Sequence, residues 1–331
     1  MSAAEPGAAP PTGLPPTGRV RRGGALLSAV VLVVVLAVGG WYVWTRREEV
    51  GAALGEIGVT AALGCLALTM LGVLATGECW RVWLASVADA PPVRTSHHVF
   101  YLTQSGKYLP GSLWPFLAQA LVARRFGVPR SAMLSATSLF LLTHVVTGVV
   151  VGVLGAGPSA ADGWRFLLYP AAVAGALLML PPVLRRIAGL LARSTLGRGR
   201  DTGRGVADEA EPPAPLRSPG WSTVGRAVAL MLLAWAGYGG ATWLLVQRLD
   251  AGPGGLPLAV GAYALAWVVG FLAVAAPAGV GAREAVMVVL LAPLVGTPGA
   301  VTVALVSRVA LTVVDLGLAA ASSRVLHGDR G

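Results

Sequence analysis

The chain has little charge. Only 12% of its 331 residues are Asp, Glu, Lys or Arg, about half of the roughly 25% usual in a soluble domain. A soluble fold of this length needs polar side chains along every element to cover its surface, so that class is excluded. Acid is scarcer than base, 15 residues against 25, for a net charge of +10. Lysine is nearly absent: Lys107 stands alone beside 24 arginines. With 44 glycines and abundant alanine, that bias reads as a GC-rich coding preference, so Arg in place of Lys carries little chemistry. Cysteine is limited to Cys65 and Cys79, too few for a disulfide scaffold. Fourteen residues apart on one helix, they are separated by about 21 Å and cannot bridge. The sequence has no Walker A loop, no Ser-His-Asp set and no paired carboxylates at a plausible site. His97 and His98 lack partners at metal-ligand spacing. No catalytic residue, cofactor or metal is assigned. The basic residues interrupt apolar runs instead of forming a patch, which argues against nucleic acid.

What the chain has is long uncharged stretches. A helix needs about 20 apolar residues to cross about 30 Å of hydrocarbon. Residues 23–45, 57–77, 131–161, 166–184, 227–247, 251–282 and 285–307 meet or approach that length, and the last runs past Arg308 to about Ala321. No stretch alternates like a barrel strand. The expected fold is an all-α polytopic membrane bundle of seven to eight crossings with two broken or re-entrant segments. Residues 1–22 are expected to be a disordered Pro-rich tail, 23–323 the transmembrane domain with a flexible loop at 186–222, and 324–331 a short tail.

Orientation follows the basic residues. Segments 19–22, 79–130 and 185–222 hold sixteen Arg and Lys, whereas 46–47, 165 and 248 hold four. The N-terminus is therefore expected in the cytoplasm and the protein in the cell (inner) membrane. The side of the C-terminus depends on whether 283–295 crosses.

Two segments do not read as ordinary spans. In 105–126, Gly106, Pro110, Gly111 and Pro115 surround a short apolar run, with Lys107, Tyr108 and Trp114 among them. Pro removes a backbone donor and Gly loosens a helix. Irregular backbone at membrane depth is tolerated where it lines a cavity, so a re-entrant hairpin is one reading and an interfacial amphipathic loop the other. In 276–284, Pro277, Gly279 and Gly281 break a helix just before Arg283 and Glu284. A half-helix N-terminus there would favour an anion, and Glu284 could pair with Arg283. The other reading is a plain Gly/Pro turn.

These residues carry a resemblance. Gly106-Lys-Tyr-Leu-Pro-Gly111 with Trp114-Pro115, and Pro277-Ala-Gly-Val-Gly-Ala-Arg-Glu284, resemble signature segments of the flippase-like membrane domain of lysylphosphatidylglycerol synthases and their stand-alone relatives. The family's second motif usually reads Pro-Gly-Gly-(Ile/Leu)-Gly-x-Arg-Glu; Ala278 replaces its first Gly. The chain ends about ten residues after the last span, so the membrane part without the aminoacyl-transferase domain is expected. The resemblance implies a protein that binds and translocates an anionic phospholipid or polyprenyl-linked lipid. The alternative is a membrane-embedded transferase or accessory subunit in polyprenyl-phosphate glycan or envelope synthesis. Its partners would be that lipid and an envelope glycosyltransferase or lipid synthase.

Charges inside the apolar runs complete the candidate site. A central Arg costs about 2.5–3.5 kcal/mol on insertion scales, so Arg308 should face a cavity unless it snorkels. Asp315, two turns later, shares its face. His144 reads as an interhelical hydrogen bond or a proton relay. Lys107, Arg283 and Arg308 are expected on a lipid phosphate, with Glu284 beside them and Gly279 and Gly281 allowing close backbone approach. Tyr108, Pro110, Gly111, Trp114, Pro277 and Asp315 are expected to line the cavity or the re-entrant segments.

Overall fold

The computed structural model describes residues 37, 40, 41, 44–108, 114–156, 162–184, 186, 219–249, 255–273 and 279–328. The tail 1–22, most of the span expected at 23–45, loop residues 187–218, Pro110, Gly111 and Pro277 lie outside the described residues. Among the described residues all regular structure is helical. Helix α1 is Arg47–Val87, α2 Val93–Gln104, α3 Trp114–Val122, α4 Arg130–Ala156, α5 Asp162–Leu178, α6 Trp221–Val246, α7 Gly255–Leu272 and α8 Ala282–Gly328. Short 3₁₀ turns follow α2, α3 and α6. Five of these helices are long and apolar enough to cross a membrane: α1, α4, α6, α7 and α8.

The bundle is built on antiparallel pairs in which glycine replaces a side chain at the crossing. On α6, a Cβ at Gly237 would lie 2.8 Å from the Leu68 carbonyl oxygen of α1. Gly155 of α4 and Gly261 of α7 meet backbone to backbone. Lipid tails are as apolar as leucine, so membrane helices associate through close packing, and small residues supply it. The resulting neighbours define two ends. Leu249, Gly255, Leu294 and Gly299 gather at one. Glu78 bonds Arg226 and His97 at the other, where His98 meets Ser322.

The run read from sequence as one stretch over 285–321 is two helices. Gly296 takes φ 71°, and α8 divides there into 282–295 and 297–328. Gly296 supplies the left-handed residue and Pro298 removes a donor beside it. Ser307 lies against Met287 and Arg308 against Glu284, so the two halves are antiparallel. The first half has fourteen residues and is about 21 Å long, short of the hydrocarbon thickness. It starts deep in the bundle and runs out to the Leu249 end. The second half returns to the Glu78 end and carries Arg308 and Asp315. The 251–282 stretch likewise stops being helical at Leu272. Helices α2 and α3 are shorter still, 12 and 9 residues, and both flanks of this pair lie near the Glu78 end.

Candidate functional site

A chamber of about 140 Å³ lies where the short helices meet the long ones. Lys107 and Tyr108 reach it from the turn after α2, Gly279 and Arg283 from the break before α8, and Arg308 and Asp315 from the second half of α8. The three cations expected on one cavity thus face one cavity. Their surroundings differ.

Lys107 is paired: its Nζ sits 2.6 Å from Asp315 Oδ2. The Tyr108 hydroxyl donates to the same oxygen at 2.7 Å. Tyr108 lies outside the spanning helices, and its phenol pKa is raised, first by burial and then by the Asp315 charge; the hydroxyl therefore stays protonated and donates. Two consecutive residues of an irregular segment are pinned on one buried carboxylate.

Arg308 is paired too. Its Nη1 donates to Glu284 Oε1 at 2.9 Å. The other oxygen of Glu284 accepts the Gly281 N–H at 2.7 Å, the return half of a capping box. The expected Glu284–Arg283 contact is replaced by this one, because residue 284 faces the second half of α8 across the Gly296 hairpin. The N-terminus of 282–295 therefore already holds a carboxylate. An anion there would rely on the side-chain cation more than on the helix end.

Arg283 is different. It is 4% exposed, and its Nη2 has no hydrogen-bond partner. Its guanidinium lies 4.5 Å over the Tyr263 ring. Among the described residues, three cations against Asp315 and Glu284 leave one positive charge uncompensated, and Arg283 carries it. Gly279, at φ +68°, makes this placement possible: a Cβ there would lie 2.6 Å from the Gly270 carbonyl oxygen of α7. The close backbone approach expected for a ligand is made with Gly270. Gly281 also has positive φ, 88°. Only the backbone of Trp114 is described, and it opens α3.

One wall of the chamber, against Arg283, is aromatic, and the sequence reading missed it. Tyr263, Trp267 and Phe271 stand at i, i+4 and i+8 on α7 and line the chamber. That spacing was a visible signal for one helical face. Trp267 stacks on His144 at 3.7 Å and Tyr263 on Tyr238 at 5.2 Å. The Tyr238 hydroxyl meets Thr76 Oγ1 at 3.1 Å. His144 Nε2 is buried without a hydrogen-bond partner among the described residues, and the ring is held by stacking on Trp267. Among the described residues no group of His, Cys, Asp and Glu could hold a metal.

Chemically, the chamber offers one buried guanidinium with an unused donor, two neutralised ion pairs and a broad apolar wall. That is the chemistry for a single anionic group attached to an apolar or ring-bearing body. A family model described as Lysylphosphatidylglycerol synthase TM region matches residues 24–319. No curated protein matches the chain.

Proposed function

The chain belongs to the lysylphosphatidylglycerol synthase transmembrane-region family, and from that premise we propose that it binds the phosphate of an anionic phospholipid or polyprenyl-linked lipid in the chamber and moves it between leaflets. The observation that carries the reading is Arg283, buried, with an Nη2 donor that has no hydrogen-bond partner among the described residues. A buried cation held by an aromatic ring and no carboxylate is costly, and a lipid phosphate would offset that cost. One uncompensated charge suits a phosphodiester, which carries one negative charge. A transferase in the same chamber needs a free carboxylate base. Asp315 and Glu284 are both engaged by cations, which favours binding over group transfer.

The purified chain, reconstituted in vesicles, tests this. Fluorescent phosphatidylglycerol should bind and become accessible to a reductant in the opposite leaflet faster than in protein-free vesicles, and phosphatidylcholine should bind more weakly. Equal binding of the two lipids, or no leaflet exchange, would remove the reading.

The proposed topology has eight crossings, both termini in the cytoplasm, and the Leu249 end outside the cell membrane. The segment around α2–α3 would be re-entrant from the cytoplasmic face, and the turn between α7 and the first half of α8, two of the eight crossings, would meet it at the chamber. The Arg-rich stretches near the Glu78 end support this orientation. Cys65 and Cys79 are fully buried, so added cysteines report cleanly. Ala251→Cys should react with an impermeant maleimide in intact cells and Thr202→Cys only after lysis. The reverse pattern would invert the protein.

A further inference from the structure

A second hollow lies on the outer face of the bundle, between α1, α2 and α6. Its lower part is apolar: Leu71, Leu74 and Leu233 are 40%, 43% and 44% exposed. Its upper part, at the Glu78 end, is lined by Glu78, Arg94 and His97. Glu78 is fully used. It takes Arg81 Nε at 2.7 Å, Arg226 at 2.9 Å and His97 at 3.1 Å. Arg94 is exposed and has no carboxylate partner among the described residues. One carboxylate among three arginines leaves the head of the groove cationic above an apolar trough. That polarity matches one ligand class: a phospholipid with an anionic headgroup, its chain along the leucines and its phosphate at Arg94.

Tyr101 belongs to both the groove and the chamber. It is 7% exposed, and its hydroxyl is buried without a partner. The hydroxyl presses on Gly77, where a Cβ would lie 2.7 Å away. Glycine there leaves room for the ring, but a polar atom so enclosed is unsatisfied. His97 stacks on the outer side of the ring at 5.9 Å, and Phe100 meets its edge at 5.6 Å. One side chain thus lines both hollows, and its hydroxyl has no hydrogen-bond partner among the described residues.

We propose that the groove is a lateral waiting site for one anionic phospholipid and that Tyr101 is the door from it into the chamber. Turning outward gives the hydroxyl a phosphate oxygen to bond and joins the two spaces. The door rests on the chamber being a lipid site, as proposed above. A passage sets rates and leaves equilibrium affinity alone, because it eases arrival and departure equally. That property separates it from a binding residue.

The test uses the purified full chain in nanodiscs. Leu74→Cys is labelled with a bulky maleimide, and Val289→Cys, 71% exposed on the first half of α8, serves as control. Association and dissociation of fluorescent phosphatidylglycerol are followed. The Leu74 adduct should lower both rates by roughly tenfold and leave Kd within about threefold, while the Val289 adduct changes neither. Tyr101→Phe, which keeps the ring in both walls and removes the hydroxyl that would bond the passing phosphate, should lower both rates together. Unchanged rates with the Leu74 adduct, in protein that binds the lipid, overturn the door and leave the chamber standing. A changed Kd with an unchanged association rate makes the groove a part of the binding site and also overturns the door. No binding in unlabelled protein overturns the chamber reading and the door with it.

Discussion

Arg283→Met is expected to abolish binding of anionic lipid and at the same time leave the lipid-free protein as stable as the parent, or more so. Most substitutions of a buried residue cost stability; this one should reverse the sign. Arg283 is 4% exposed and, among the described residues, lacks both a carboxylate and a hydrogen-bond partner for Nη2. Its cation–π contact with Tyr263 returns about 0.5–2 kcal/mol, against an insertion cost of about 2.5–3.5 kcal/mol for a central Arg. Methionine keeps an unbranched apolar stem, retains the Cβ contact with Gly270, and removes the desolvated charge. With lipid present the balance changes. A charge-assisted hydrogen bond to phosphate is worth about 1.5–3 kcal/mol, and the coulombic attraction in a dry chamber adds to it. Affinity for phosphatidylglycerol should fall by at least roughly a hundredfold, about 2.7 kcal/mol, with little change for phosphatidylcholine. Paired thermal melts of delipidated and lipid-loaded protein read both halves. The parent should gain Tm on loading and the variant should not. A variant that melts early without lipid would make Arg283 a structural residue.

How far the sequence foretold this arrangement depends on the distance over which each signal acts. Long apolar runs became helices nearly where expected; the stretch beginning at Ser131 is α4, Arg130–Ala156. The break before Arg283 was legible because Pro and Gly act on their own backbone. The same chemistry was present at Gly296 and Pro298, but the apolar run continued through them and hid the hairpin. Missing that turn hid the partner of Arg308 as well. Glu284 is 24 positions away in sequence and 2.9 Å away in space, and no helical periodicity connects them. Asp315 was placed on the face of Arg308, yet its partners are Lys107 and Tyr108, some two hundred residues earlier. The aromatic wall fails for another reason. Tyr263, Trp267 and Phe271 do share one face, but in a membrane helix an aromatic stripe serves lipid, core or cavity equally well. Only the position of Arg283 over Tyr263 marks it as part of the chamber.

Glu284→Gln should act in the opposite sense to Arg283→Met, weakening the lipid-free protein and tightening its hold on anions. The carboxylate has two tasks, and glutamine separates them. Its amide oxygen can still accept the Gly281 N–H, so the turn into α8 keeps its cap. The charge facing Arg308 is lost. Removing one partner of a buried ion pair costs about 3–5 kcal/mol. The Arg308 and Glu284 side chains are 16% and 21% exposed, so the low end, roughly 3 kcal/mol, applies. Glu284→Ala should cost about 1 kcal/mol more, the worth of the cap. Adding Arg308→Met to Glu284→Gln should restore most of the loss, since an apolar pair of similar volume replaces a buried ion pair at little cost. The double-mutant cycle isolates that coupling. The single variant also leaves the chamber with two uncompensated cations, so bound phosphatidylglycerol should raise its Tm by more than the parent's. If Glu284→Gln melts within about 1 kcal/mol of the parent and gains nothing extra from anionic lipid, the pair is solvated in the membrane and stabilises little. Arg308 would then be free to meet the phosphate directly beside Arg283.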